Sequence, residues 1–235
     1  MCAIIKLSYH KPIIWARHLT YVRLTRKELS RFNGNDGMPA YVAFGGKLYD
    51  VSGSLLWPDG RHQLLHEAGK DLTETMNTAP HNMEVLKRFP VVGDLIDFEE
   101  MDHTADVGIR AHGATIEELF ETCAYGMYSV MLDRYDQSRE GARSFELENE
   151  SLEGLLVKWL SELLFYFETE CVVFSDFAVR IYGSSRGKRL SASASFCHYD
   201  ERRHGYATLI KAVTYHNLEI RREKGIYAAE VIFDV

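Results

Sequence analysis

The chain changes character near residue 97. Up to that point 12 Lys and Arg face 10 Asp and Glu, and beyond it 15 face 24, so a slightly basic front precedes a back half carrying −9. A chain of 235 residues divided this way is read more simply as two modules than as one. The front is also dense in glycine and proline, which implies short elements and tight turns, whereas the back holds long apolar-periodic runs.

Overall composition narrows the class. Apolar residues make up 46 % and charged residues 26 %, which excludes disordered, collagenous and coiled-coil chains. No apolar run reaches the ~18 to 20 residues of a membrane-spanning helix, so no membrane partner is expected. Lys6, His10, Lys11, Arg17 and His18 interrupt the segment Met1 to Thr20 and break any signal-peptide core. A cytoplasmic protein is the expectation. Cys2, Cys123, Cys171 and Cys197 are widely spaced, which suggests neither a disulfide framework nor a thiolate zinc site. The acidic back half is ill suited to direct nucleic-acid binding, because phosphate contact depends on Lys and Arg.

The local signals predict an α+β fold in three segments: an extension over 1–21, a small module over 22–95 and a larger one over 96–235. Thr25 and Glu28 form a capping-box pattern that starts a helix over Arg26 to Phe32. Ala40 to Phe44 and Lys47 to Val51 read as a hairpin turning at Gly45-Gly46. Helices are expected over Arg61 to Ala68, Asp71 to Asn77 and Asn82 to Arg88, and an acidic linker at Asp94, Asp97, Glu99 and Glu100. In the back half, Ile116 to Met131 and Leu152 to Phe167 carry amphipathic helical spacing. Strands are expected over Val107 to Ala111, Ser144 to Leu147, Val172 to Tyr182, Arg189 to Cys197, Tyr206 to His216 and Ile226 to Phe233, giving helices packed on a mixed or antiparallel sheet.

Two features of the back half point to chemistry. Asp102, His103 and Asp106 lie within five residues just before a strand, and Asp234 follows the apolar run that ends at Phe233. If those strands are neighbours, Asp106 and Asp234 converge with the Val235 main chain, and an all-oxygen set suits Ca²⁺ or Mg²⁺. Otherwise each Asp simply caps an edge or turn. Lys211 sits among Leu209, Ile210, Ala212 and Val213, where an unpaired ammonium is costly to bury. It pairs with an acid, reaches an edge, or presents its charge to an anion such as phosphate.

The ordered motifs Asp102-His103-Thr104-Ala105-Asp106-Val107-Gly108, Thr115 to Phe120, Leu155 to Leu164, Ile210 to His216 and Val231 to Val235 resemble the archease family over about residues 96 to 235. The resemblance implies a divalent metal held by Asp106, Asp234 and the Val235 backbone. It also implies a partner, the GTP-dependent RNA ligase that joins 3′-phosphate or 2′,3′-cyclic phosphate ends to 5′-hydroxyl ends in tRNA splicing and RNA repair. In that family the small protein is not the ligase: it promotes guanylylation of the ligase's histidine and restores turnover. Lys211 then becomes a candidate for orienting phosphate. A metal-dependent hydrolase using His103 as base is the competing reading, weakened by the lack of a clear nucleophile.

In the front half, Tyr41-Val42-Ala43, Gly46 to Ser52, Trp57-Pro58-Asp59-Gly60-Arg61-His62, Ala68 to Thr73 and Pro90 to Gly93 resemble the cytochrome b5-like haem/steroid-binding family over about residues 22 to 95. The resemblance implies haem held by two axial histidines. His81 falls at the position of the second ligand, and Trp57 stands where the first is expected. His62 and His66, four residues apart, would share one face of a helix, and either can replace the lost ligand. As a zinc pair they lack the following glutamate, since Gln63 occupies its position. A rival for the whole chain is a b5-type electron carrier or redox sensor with an acidic docking domain.

Overall fold

The computed structural model describes residues 21–62, 65–76, 83–102, 106–134, 138–184, 187–223 and 225–235. It separates into two units, one containing Tyr21–Arg23 and Phe32–Asp94, the other Leu24–Arg31 and Leu95–Val235.

The capping box at Thr25 is formed in both directions, and starts a helix α1 (Arg26–Leu29) directly after strand β1 (Val22–Thr25). Gly45 and Gly46, at φ 55° and 77°, turn β2 (Tyr41–Phe44) into β3 (Lys47–Asp50) as the sequence predicts. The expected helix over Arg61 to Ala68 is instead a hairpin of β4 (Arg61–His62) and β5 (His66–Glu67). Its cause lies just upstream. Asp59 and Gly60 take φ 50° and 70°, which breaks any right-handed turn, and a Cβ on Gly60 would lie 1.8 Å from the Asn33 carbonyl oxygen. A short helix α2 (Thr73–Met76) and a 3₁₀ segment Met83–Arg88 follow. The acidic stretch read as a linker is two strands, β6 (Val91–Ile96) and β7 (Phe98–Asp102), because Val92, Leu95, Ile96 and Phe98 are buried between the charges. The front sheet has the order β1-β6-β3-β2, and Val42, Val51, Trp57, Ala68 and Leu72 form its core.

In the second unit, Thr115 and Ser151 cap α3 (Ile116–Met131) and α4 (Leu152–Glu170) with their hydroxyl oxygens. One sheet runs β10-β11-β9, from β9 (Gly141–Asn149), β10 (Val172–Ser184) and β11 (Gly187–His198). The other runs β12-β14-β8-β7, from β8 (Val107–Gly113), β12 (Ala212–Val213) and β14 (Ile226–Asp234), with β13 (Ile220–Glu223) also paired to β14. Both sheets are antiparallel. A single helical turn, α5 (Glu201–His204), interrupts the chain before β12. The strand expected over Tyr206 to His216 thus shrinks to two residues, because main-chain bonds to Met131, Asp234 and Ile232 hold the segment in an irregular path. Trp159, Tyr125, Tyr128, Phe120, Phe174 and Phe177 fill the core with essentially no exposure. Among the described residues no helix is long and apolar enough to cross a membrane.

Candidate functional site

The back-half site is built by the pairing of β8 with β14. Alternation buries Ile109 and Ala111 of β8 and Ala229, Val231 and Phe233 of β14 in the core, so Gly108, Arg110, Glu230 and Asp234 belong to the opposite face. The last registered pair is Phe233 with Val107. Asp106 and Asp234 are the residues next to that pair, so the two strand ends that carry them are neighbours. Gly108 lets the strands meet closely there: it pairs with Ile232, and a Cβ would come within 2.8 Å of the Ile232 Cδ1.

Lys211 completes the arrangement. Its main-chain N–H donates to the Asp234 carbonyl at 2.8 Å, and its Nζ donates to the Val235 main-chain oxygen at 2.7 Å. The ammonium is exposed rather than buried, which removes the cost of a buried unpaired charge. Its partner is a backbone oxygen, which sequence reasoning did not anticipate; the only available signal was the closeness of Lys211 and Val235 to paired strand ends.

Among the described residues the candidate donors at these strand ends, Asp106, Asp234 and the Val235 oxygen, are oxygens alone. That chemistry fits a hard divalent ion. Among the described residues no three His, Cys, Asp or Glu side chains converge, so Asp106, Asp234 and Val235 would leave the remaining positions to water. The side chains of Asp102 and His103 lie outside the described residues.

In the front unit, Trp57 is 8 % exposed and packed into the core, and its indole has no lone pair to give a metal. His62 stacks on it at 5.1 Å between ring centroids, and His66 stacks on His62 at 6.2 Å. The two imidazoles are cross-strand partners of β4 and β5, not residues of one helix. They therefore share one side of the hairpin, and one of them would be the residue to hold a haem iron there. His62 Nδ1 is bonded to the Leu56 carbonyl oxygen at 2.9 Å, an orienting contact typical of metal-binding histidines. The residues present thus fit one side of a haem, and His81, expected to supply the other side, lies outside the described residues.

The chain can now be set beside known proteins. Residues 25–96 match the model of the cytochrome b5-like haem/steroid binding domain, and residues 98–235 that of the archease protein family. Protein archease of Methanosarcina mazei is 41 % identical over 139 residues, covering 59 % of this chain and 95 % of that protein. The solution structure of Methanobacterium thermoautotrophicum protein 1598 aligns with 60 % of this chain and 99 % of its own, at 38 % identity and a TM-score of 0.54. A cytochrome b5 domain protein of Hadesarchaea is 57 % identical over 32 % of this chain and 97 % of its own, with a TM-score of 0.31. Placed behind a b5-like domain, the matched region takes in more than half of the residues, and the chain belongs to the archease protein family.

Proposed function

We propose that the chain is a metal-binding activator of the GTP-dependent 3′-phosphate/5′-hydroxyl RNA ligase, promoting the ligase's guanylylation and turnover in tRNA splicing and RNA repair, and is not itself a catalyst. One observation supports this reading: β8 pairs with β14 up to Val107 and Phe233, so the strand ends that carry Asp106 and Asp234 are neighbours, and the Lys211 ammonium donates to the Val235 oxygen at the same end. A bound Ca²⁺ or Mg²⁺ would supply a concentrated positive charge at that end. Asp106 and Asp234 would hold it, while Lys211 fixes the Val235 oxygen and stands ready to orient a phosphate. Acidic charge on this half suits docking into a basic cleft of the ligase better than direct RNA binding.

The test is ligase turnover with the full chain carrying Asp106→Asn or Asp234→Asn. Each substitution keeps the size of the side chain and removes its charge. Loss of stimulation and of calorimetric Ca²⁺ binding is expected from both. Full stimulation by both variants would overturn the reading.

For the front unit the same reading assigns haem, held by His81 and by one imidazole of the His62–His66 pair. Haem supplies a one-electron couple when bound, and the protein's part is to orient the ring nitrogens, as the Leu56 carbonyl does for His62. A Soret band in the haem-supplemented chain, lost on His81→Ala, is the expected result; a chain that takes up no haem contradicts the assignment.

A further inference from the structure

A cleft opens within the second unit between the α1 segment, the C-terminal end of α3 and α5. It encloses about 240 Å³, below the ~300 Å³ at which sites for drug-sized ligands begin, so it suits a small group. Four cations line it, Lys27 and Arg31 from the α1 segment, Arg134 after α3 and Arg203 in α5, against two carboxylates, Glu28 and Asp133. This gathering runs against the charge of the back half, where 15 Lys and Arg face 24 Asp and Glu. The archease match begins at residue 98, so Lys27 and Arg31 are additions that the preceding segment brings to it.

Exposed lysines and arginines are ordinarily solvated or paired with a nearby acid, and here the acids are committed elsewhere. The Glu28 carboxylate accepts from the Thr25 N–H at 2.9 Å and the Thr25 hydroxyl at 3.0 Å, and Asp133 lies against Gly205, where a Cβ would fall 2.6 Å from its Oδ2. Among the described residues no ion pair runs to Lys27, Arg31 or Arg134. Arg134 is fixed by neutral acceptors instead: Nε donates to the Arg203 carbonyl at 3.1 Å and Nη2 to the Arg202 carbonyl at 2.9 Å. Its plane is set while its charge is not cancelled. Arg203 donates to the Ser138 hydroxyl and faces Glu140 at 3.7 Å. Like charges kept together in one concavity repel, and an anion seated among them relieves that repulsion.

We propose that this cleft binds the phosphate groups of a small anion, a free nucleotide or an inorganic polyphosphate, with Arg134 as its fixed fork and Lys27 and Arg31 as its outer charges. A guanidinium held in place matches phosphate oxygens with little ordering cost. One short cleft on an acidic half offers no track for a nucleic-acid backbone, which favours a small phosphate over RNA. The cleft is separate from the strand-end site, and its assignment does not depend on the activator reading.

Calorimetric titration of the full chain with pyrophosphate, GTP and guanosine, without divalent ions, tests this. The wild type is compared with Lys27→Gln/Arg31→Gln and with Arg180→Gln/Arg189→Gln, which removes the same charge from exposed positions outside the cleft. Because all four side chains are exposed, the thermal midpoints should stay close to the wild type's. Pyrophosphate and GTP should bind and guanosine should not, and the cleft variant should weaken both anions by about tenfold or more while the control pair changes them by less than about twofold. Equal affinity for the two anions would support recognition of phosphate alone, and tighter GTP would support a nucleotide as the source. Absence of binding by the wild type overturns the proposal, as do equal affinities in the wild type and the cleft variant. A single-stranded RNA that displaces GTP and binds more tightly with length would make the cleft part of a nucleic-acid surface, and the proposal would be wrong.

Discussion

Trp57 and Gly108 show how much a single position decides. Trp57 stands where a ligand histidine is expected and serves instead as a packed wall, with His62 stacked on its face. Removing that ring leaves a cavity as well as lost apolar burial, so Trp57→Ala should cost about 3 to 5 kcal/mol. A urea titration followed by the circular dichroism of the full chain will show the early loss of part of the structure. An unmoved midpoint would mean that the ring is dispensable. Gly108 acts through what it lacks. Valine there would press on the tip of Ile232 and on the Val231 carbonyl oxygen, 2.8 and 3.1 Å from a Cβ at this position. Overpacking of this kind costs about 1 to 3 kcal/mol. On the proposed reading Gly108→Val should weaken Ca²⁺ binding, whereas unchanged calorimetric affinity would separate the glycine from the candidate site.

Strand β10 is one of the two outer strands of its sheet, and a long edge is an invitation to pair with another chain. Helix α3 closes it with side chains: Glu117 accepts from Ile181 N–H at 3.3 Å, Glu121 from Val179 N–H at 2.9 Å, and the Tyr125 hydroxyl from Asp176 N–H at 3.1 Å. Glu121→Ala strands a backbone donor, at a cost of about 1 to 3 kcal/mol, and hydrogen exchange at Val179 should accelerate. A protection factor equal to the wild type's would assign that donor another partner. Arg143 tethers β9 to the end of α4 through Glu170 at 2.9 Å, and its guanidinium lies 4.1 Å from the centre of the Tyr166 ring. Its hydrogen bond holds the Glu170 carboxyl below the usual glutamate range. A carboxyl depressed in the folded state stabilises above its unfolded pKa of about 4.3, and that contribution fades as pH falls through the folded value. Glu170→Gln should therefore melt slightly below the wild type at pH 7 and together with it near pH 3; parallel curves at all pH values would remove the pair from the account. At this scale the sequence was most legible where periodicity was long. The spacing of Leu155, Trp159 and Leu163 defines α4, and the alternation of Leu190, Ala192 and Ala194 defines β11. It was least legible where a few residues were decided by distant partners. His62 and His66 read as a helical pair until the left-handed turn at Asp59-Gly60 made them cross-strand neighbours, and Tyr206 to His216 reads as a strand although its backbone bonds go to two separate elements, the end of α3 and β14. For the candidate site, residue type singles out the acids and the lysine as candidates, but not the Lys211 bond to the Val235 oxygen, since main-chain acceptors leave no mark on composition.

The charge division of the sequence corresponds to two molecular objects with separate cores, one gathered around Trp57 and the other around Trp159 and its aromatic neighbours. The second is nearly a whole protein elsewhere: the Methanosarcina mazei relative is matched over 95 % of its length by 59 % of this chain. Its core draws on α3, α4 and both antiparallel sheets, enough apolar surface for a domain of this size to fold by itself. Residues 96–235 expressed alone should then unfold in one cooperative transition and, on the proposed reading, stimulate the ligase with the full chain's plateau. Coupling between the halves has a distinct signature. If haem in the front unit tunes the back one, the full chain's stimulation should change between haem-free and haem-loaded forms while that of 96–235 stays constant. Identical curves for all preparations would make the fusion a matter of shared expression rather than regulation. A fragment that fails to fold would mean instead that strand β1 or helix α1, which the contact pattern groups in part with the second unit, supplies structure that the fragment lacks.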